Sequence, residues 1–318
     1  MLAGVPSTLQ GAAELHLHLE GAIRPEAWLR LIRRHEPGTS LTLDDLRKRL
    51  RFTDMAGFFE TWMQVLYTLR DPEDYRQAAY ECGIWLAESN AVYAELHTSI
   101  AGAHWAGRLN GNEAIPAIAE GLNAAQAEGG PRWRLIVDVI RELCAVDAGH
   151  IGLELALNNR AHGVVAVGLG GEEARHSTEL ARDLFAAAKA GGLHVTAHAG
   201  EGAGPESIWK ALELGAERLG HAVRASEDPV LMEHLLRHQV HLEMCPTSNV
   251  RTGAVASLAE HPVADFLRRG LNVSVNTDDP ALFGTNLAGE LSAVQRTFSL
   301  TEAEMARLRD NALGAAFG

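Results

Sequence analysis

Cysteine, lysine and long apolar runs are all scarce in this chain of 318 residues. The three cysteines, Cys82, Cys144 and Cys245, stand far apart and form no C-x-x-C pair. That spacing excludes a disulfide framework, a zinc knuckle or an iron–sulfur site as the organising device, and a cytoplasmic, reducing setting is expected. No stretch of about 18 or more apolar residues occurs, and the first residues lack a basic start followed by an apolar run, so neither membrane insertion nor secretion is expected. Basic residues are outnumbered 28 to 41, for a formal net charge of −13. A surface of that sign repels nucleic acid and anionic membrane, which leaves a small neutral or cationic molecule as the expected partner. Self-association as a homo-oligomer is compatible with the composition. Lysine is confined to Lys48, Lys189 and Lys210, each inside a helical pattern.

What recurs is a short β-type run followed by a helical pattern. Eight such runs are legible, at 14–19, 92–98, 133–139, 164–169, 193–199, 218–221, 240–244 and 271–276. Between them lie stretches such as 177–190, rich in Ala and Leu and closed by Gly191 and Gly192, which reads as a helix with a glycine cap. Alternation of this kind implies parallel pairing, and eight units imply a closed (β/α)8 TIM barrel rather than an open doubly wound sheet. The first crossover, from about 25 to 90, is too long for one helix. It holds a helical pattern at 53–68 and another after Asp71-Pro72, where Asp71 can cap and Pro72 can take the first turn. The expectation is a single domain over 1–318, with extra helices at about 36–90 inserted after the first strand beside the barrel mouth. A separate small helical domain is the alternative, but no Gly/Ser/Pro linker flanks the segment.

The polar residues then fall where a barrel enzyme builds its site. In the first strand His16 and His18 alternate with Leu15, Leu17 and Leu19, so the two imidazoles share a face and can chelate one cation. The fifth run ends at His198, with Glu201 just beyond on the turn that Gly200 permits. The sixth ends at His221, and the eighth leads into Asp278 and Asp279 before Pro280. Adjacent carboxylates there point differently, so one can bind metal while the other faces substrate. Singly, each has an ordinary explanation: a satisfied core histidine, a helix-capping turn, a solvated loop acid. Together they converge on the C-terminal strand ends, where barrel enzymes assemble catalysis. His35, His104, His150, His234, His238 and His261 lack that placement and are given no role. Three imidazoles and one aspartate would leave a zinc-type dication with net positive charge, which brings the pKa of a water toward 7. A second ion would call for a bridging ligand such as a modified lysine on an inner strand, so one ion per chain is expected.

The set HLHLEGAIRP (16–25), HAGE (198–201), RLGHA (218–222), CPTSNV (245–250) and NTDDP (276–280) resembles the adenosine deaminase family, in order and over almost the whole chain. The resemblance implies one Zn2+ held by His16, His18, His198 and Asp278. It implies hydrolytic deamination of a purine nucleoside such as adenosine by an activated water. Glu201 would be the proton donor to the ring nitrogen, His221 would orient or deprotonate the water, and Asp279 would hold the water and the five-membered ring's nitrogen. Glu20 would lie near the ribose and the Gly171 backbone N–H near the purine. For Glu201 to begin protonated, burial must raise its pKa. One departure stands out: where the family commonly reads Asp-Leu-Ala-Gly after the fourth strand, this chain reads Gly168-Leu169-Gly170-Gly171. The substrate expectation is therefore adenosine, with 6-aminodeoxyfutalosine as the alternative and free adenine behind both. A cytidine-deaminase-like site fails despite the H-x-E at 18–20, because P-C-x-x-C is missing. A barrel hydrolase acting on amides or phosphoesters would share the ligands but would not explain Glu201 and Asp279 together.

Overall fold

The computed structural model describes residues 11–318. Eight parallel strands follow one another in chain order: β1 (Ala12–His18), β2 (Ala91–Thr98), β3 (Arg132–Ile140), β4 (Val164–Gly170), β5 (His194–Ala199), β6 (Arg218–His221), β7 (His241–Met244) and β8 (Asn272–Val275). Each overlaps one of the eight runs legible in the sequence. Helices lie between successive strands, so the strands are covered on both faces, and every residue of β1, β6 and β7 is buried. Among the described residues no helix is long and apolar enough to cross a membrane.

Closure of the barrel is unusual in its chemistry. Between β8 and β1 there is no full ladder, only one bridge, Leu17 to Asp278. There Asp278 N–H donates to the His16 carbonyl and His18 N–H donates to the Asp278 carbonyl, each over 2.8 Å. Side chains complete the join: Leu15 N–H donates to Asn276 Oδ1 at 2.9 Å, and Thr277 Oγ1–H donates to Glu14 Oε2 at 2.8 Å. A register shift between Glu14 and Leu17 also interrupts the strict alternation expected of β1. The extra residue of a bulge re-aims its neighbours. Leu15 accordingly packs with Ala13, Tyr93 and Ala312 instead of sharing the environment of Leu17 and Leu19.

At the other end the barrel floor is charged. Arg218 is buried, with Nη2 2.5 Å from Glu95 and Nε 2.6 Å from Glu243. Its Nη1 donates to the Ala315 carbonyl, and its guanidinium lies 3.6 Å from the centre of the Phe317 ring. Four α-helices separate β1 from β2: α1 (Pro25–His35), α2 (Leu43–Arg49), α3 (Met55–Leu66) and α4 (Pro72–Glu88). Asp71 caps α4 as its sequence implies, accepting from Asp74 N–H, with Pro72 in the first turn. Trp28, Leu46, Phe58 and Val65 of these helices belong to one apolar cluster with Leu96, Val137 and Val195 of the strands. Lys48, Lys189 and Lys210 all lie on helices.

Candidate active site

At the C-terminal strand ends His16 and His18 from β1, His198 from β5 and Asp278 beyond β8 converge. Each imidazole has its Nδ1 committed: His16 to Glu243 Oε2 at 2.7 Å, His18 to Asp138 Oδ2 at 3.1 Å, and His198 to the Leu169 carbonyl at 3.0 Å. These partners accept, so each ring carries a proton on Nδ1, which leaves Nε2 as the nitrogen turned inward and able to bind a cation. Yet His16 Nε2 and His198 Nε2 lie 3.0 Å apart, and His18 Nε2 and His198 Nε2 lie 3.2 Å apart. Asp278 Oδ1 stands 3.6 Å from His16 Nε2 and 3.3 Å from His18 Nε2. Nitrogens so close either share a proton or bind one cation between them. Tetrahedral coordination with metal–nitrogen bonds of about 2.1 Å has ligand–ligand edges of about 3.4 Å, close to these separations of 3.0 to 3.6 Å. The second oxygen of Asp278 accepts from Ser248 Oγ–H at 2.6 Å, which turns the first toward the imidazoles.

His221, at the end of β6, has a ring nitrogen in the same cluster, within 4.8 Å of the ligand atoms of His16, His198 and Asp278. It differs from the other three because Asn249 Nδ2 approaches its Nδ1 at 3.0 Å, while its Nε2 lies 3.5 Å from Glu201 Oε2. Asp278 and His221 both adopt left-handed backbone, with φ of 65° and 64°. Such conformations cost energy in residues other than glycine and concentrate at functional sites.

Glu201 is no solvated loop acid: its side chain is 14% exposed, and its Oε1 accepts from Asn249 Nδ2 and Thr252 Oγ1. Burial, reinforced by the nearby charge of Asp278, pushes its pKa up to about 8. Gly200 takes the positive φ of 77° that the turn requires. The loop itself is held by one carboxylate. Glu173 accepts from the N–H groups of Gly200, Glu201, Gly202 and Ala203 at 2.7 to 3.1 Å. Removing that clamp in Glu173→Ala is expected to lower kcat about tenfold to hundredfold while zinc content stays at the parent level. A kcat within twofold of the parent would show that the loop holds itself.

Asp279 is buried and makes no helix-capping bond with its side chain; its Oδ1 has no protein partner. Burial and then the charge of Asp278 raise its pKa well above the ordinary carboxylate range. It lies against the turn after β1, where a Cβ placed on Gly21 would stand 1.8 Å from Asp279 Oδ1. In that turn Glu20 accepts from Thr98 Oγ1 and Ser99 N–H, both at 3.0 Å, but its buried Oε2 is unpartnered. Burial lifts the Glu20 pKa to about 7. Gly171 is half-buried at the end of β4, with φ of 90°.

Several members of the site are silent in the sequence. Asp138 on β3 bridges His18 and His97, and its carboxylate fills the space left by Gly168: a Cβ there would lie 2.0 Å from Asp138 Oδ1. A neighbouring strand thus supplies a carboxylate beside the position where the family motif carries its own. Glu243 on β7 ties His16 to Arg218 on the barrel floor. Arg141, fully buried, donates to the carbonyls of Gly170 and His198 and so pins the ends of β4 and β5 together. The one available signal was a charged side chain inside an otherwise apolar strand run, as in the Asp138 and Glu243 strands.

Such a barrel, with imidazoles and a carboxylate gathered at the C-terminal strand ends around a cation-sized gap, defines a metal-dependent hydrolase. Comparison with known proteins narrows this. The model of the family described as Adenosine deaminase matches residues 12–318. An aminodeoxyfutalosine deaminase of Streptomyces avermitilis is 37% identical, over 99% of this chain and 87% of the relative. An adenosine deaminase of Serratia proteamaculans is also 37% identical, over 96% of this chain and 93% of the relative. Among solved structures, an adenine deaminase from Arthrobacter aurescens superimposes with a TM-score of 0.90 at 29% identity, covering 97% of this chain and 94% of its own. An amidohydrolase from Burkholderia ambifaria with bound Zn gives 0.88 at 26% identity, covering all of this chain and 90% of its own. The chain belongs to the adenosine deaminase family, and it is a metal-dependent aminohydrolase acting on a small purine molecule.

Proposed function

We propose that this enzyme removes the 6-amino group of a purine nucleoside as ammonia, with adenosine and deoxyadenosine as its substrates. The observation that supports it best is Glu201, a buried carboxyl whose pKa is raised by burial and by the charge of Asp278 and whose Oε2 lies 3.5 Å from His221 Nε2 at the edge of the imidazole cluster. His16, His18, His198 and Asp278 would hold a single Zn2+. When bound, an ion of this kind brings the pKa of a water toward 7 and supplies a nucleophile at neutral pH. Glu201 gives its proton to the ring nitrogen beside the amino-bearing carbon, so that the ring can accept electron density as oxygen adds to that carbon. His221 and Asp279 orient the water, and Asp279, itself kept protonated, donates to the five-membered ring's nitrogen. The unpartnered Oε2 of Glu20 accepts from a ribose hydroxyl, and the Gly171 N–H meets the purine edge. Helices α1 to α4 belong to the same domain in this reading, since their apolar faces share the barrel's core. Three free thiols suit a cytoplasmic setting.

A second reading, deamination of a nucleoside bearing an acidic aromatic group such as 6-aminodeoxyfutalosine, is favoured by Arg108. This half-buried arginine lies on the segment that follows Ser99, with its guanidinium 4.4 Å from the centre of the Tyr67 ring and the exposed Trp105 nearby in sequence. No ion-pair partner for it occurs among the described residues. The deciding experiment compares kcat/KM for adenosine, deoxyadenosine, adenine and 6-aminodeoxyfutalosine. If the acidic nucleoside leads, Arg108→Ala is expected to cost it about tenfold or more and leave adenosine within about twofold. An equal loss on both would remove Arg108 from substrate recognition.

A further inference from the structure

His261 lies outside the active-site cluster, yet it starts a chain of hydrogen bonds that ends at His221. Val263 N–H donates to His261 Nδ1 over 3.2 Å. A backbone amide can only donate, so Nδ1 is the bare nitrogen and the proton of the ring sits on Nε2. Burial keeps that ring neutral, pulling its pKa down to about 3. His261 Nε2–H then donates to Asn249 Oδ1 at 3.1 Å. With the oxygen end of Asn249 so fixed, its NH2 group is the end that meets His221 Nδ1 at 3.0 Å and Glu201 Oε1 at 3.2 Å. His221 Nδ1 must therefore accept, which leaves the proton of the neutral ring on Nε2, the nitrogen facing Glu201 Oε2. All three side chains are essentially inaccessible, with exposures of 1% for His221, 0% for Asn249 and 2% for His261, so no bulk water competes for these bonds.

We propose that Asn249 and His261 are positioning residues that lock His221 in its Nε2–H tautomer, so that His221 presents a hydrogen-bond donor, and not a base, to the reacting atoms. The inference rests on the proposed function only in placing His221 beside those atoms. Because the Asn249 amide also holds Glu201, one side chain sets the orientation of both groups. The orienting role is thereby separated from the deprotonating one. A neutral imidazole already carrying its proton on the inward nitrogen has no lone pair there to take another.

The test is nitrogen-15 NMR of the histidine-labelled, zinc-loaded full chain, in which the protonated and bare ring nitrogens of a neutral imidazole resonate far apart. Signals of His221 are identified by their loss in His221→Ala. The parent should show His221 with Nε2 protonated and Nδ1 bare. In His261→Leu both tautomers should appear, with kcat lower by about tenfold to hundredfold and KM and zinc content within about twofold. His261→Gln keeps an N–H aimed at Asn249 and should restore the single tautomer and most of kcat. A His221 proton on Nδ1 in the parent overturns the proposal, as does an unmixed Nε2–H form in His261→Leu. If His261→Leu does not fold, the parent spectrum and His261→Gln decide. Absence of turnover on every purine with the tautomer intact would sink the proposed function and leave the relay standing.

Discussion

Glu201→Gln is expected to fold, to bind zinc like the parent and to lose about a thousandfold or more in kcat, because the amide keeps the hydrogen bonds to Asn249 and Thr252 but has no proton to give. The pH profile of the parent carries the same information. A donor must be protonated, so the rate holds below the Glu201 pKa and falls as pH rises through it, from about 8 in the metal-free chain and lower once a cation is nearby. Stability runs in the same direction. Glu201 is raised from its ordinary 4.5 to about 8, so between those values the unfolded chain has released a proton that the native state retains. Folding stability from this group therefore falls as pH rises across that window. Glu201→Gln removes the fall, and the variant should melt no lower than the parent at pH 8. Activity within tenfold of the parent would take Glu201 out of the chemistry. A melting point well below the parent's would mean that the carboxyl is structural.

The second large effect is metal removal. Prolonged chelation with verified metal loss is expected to abolish turnover, and added zinc should restore it. The physical reason is visible in the ligands themselves: three inward imidazole nitrogens and a carboxylate, with neighbouring separations of 3.0 to 3.6 Å, are preorganised for a cation. Binding to the native state alone also stabilises it, by about 4 kcal/mol when free zinc exceeds its dissociation constant a thousandfold. The melting temperature should thus rise with zinc concentration in the parent and scarcely at all in Asp278→Ala. Unchanged turnover after complete metal loss would refute the assignment of these four residues.

Strand ends were the legible part of this molecule. The eight runs show because parallel strands covered on both faces must be apolar, and the polar residues that end them stand out against that background. His16, His18, His198, Glu201, His221, Asp278 and Asp279 are all of this kind, and the structure gathers them. What could not be read is whatever depends on distant pairing. Asp138 gains its meaning from lying beside Gly168 on the next strand, and Glu243 from reaching both His16 and Arg218 across the interior. His261 lies outside any strand, so its position along the chain gives no sign of the connection to His221 that runs through Asn249. The bulge in β1 was equally invisible, since a pattern of alternating leucines gives no sign of an added residue.

The join between the last strand and the first has one further meaning. His16 and His18 stand on one side of it and Asp278 on the other, at the one place where a single bridge and a few side chains replace a backbone ladder. An ion held by these three residues would be a clasp as well as a reagent, tying the hoop where the hoop is thinnest. Loading the enzyme would, on this geometry, brace a closure that the bridge and its side chains already make.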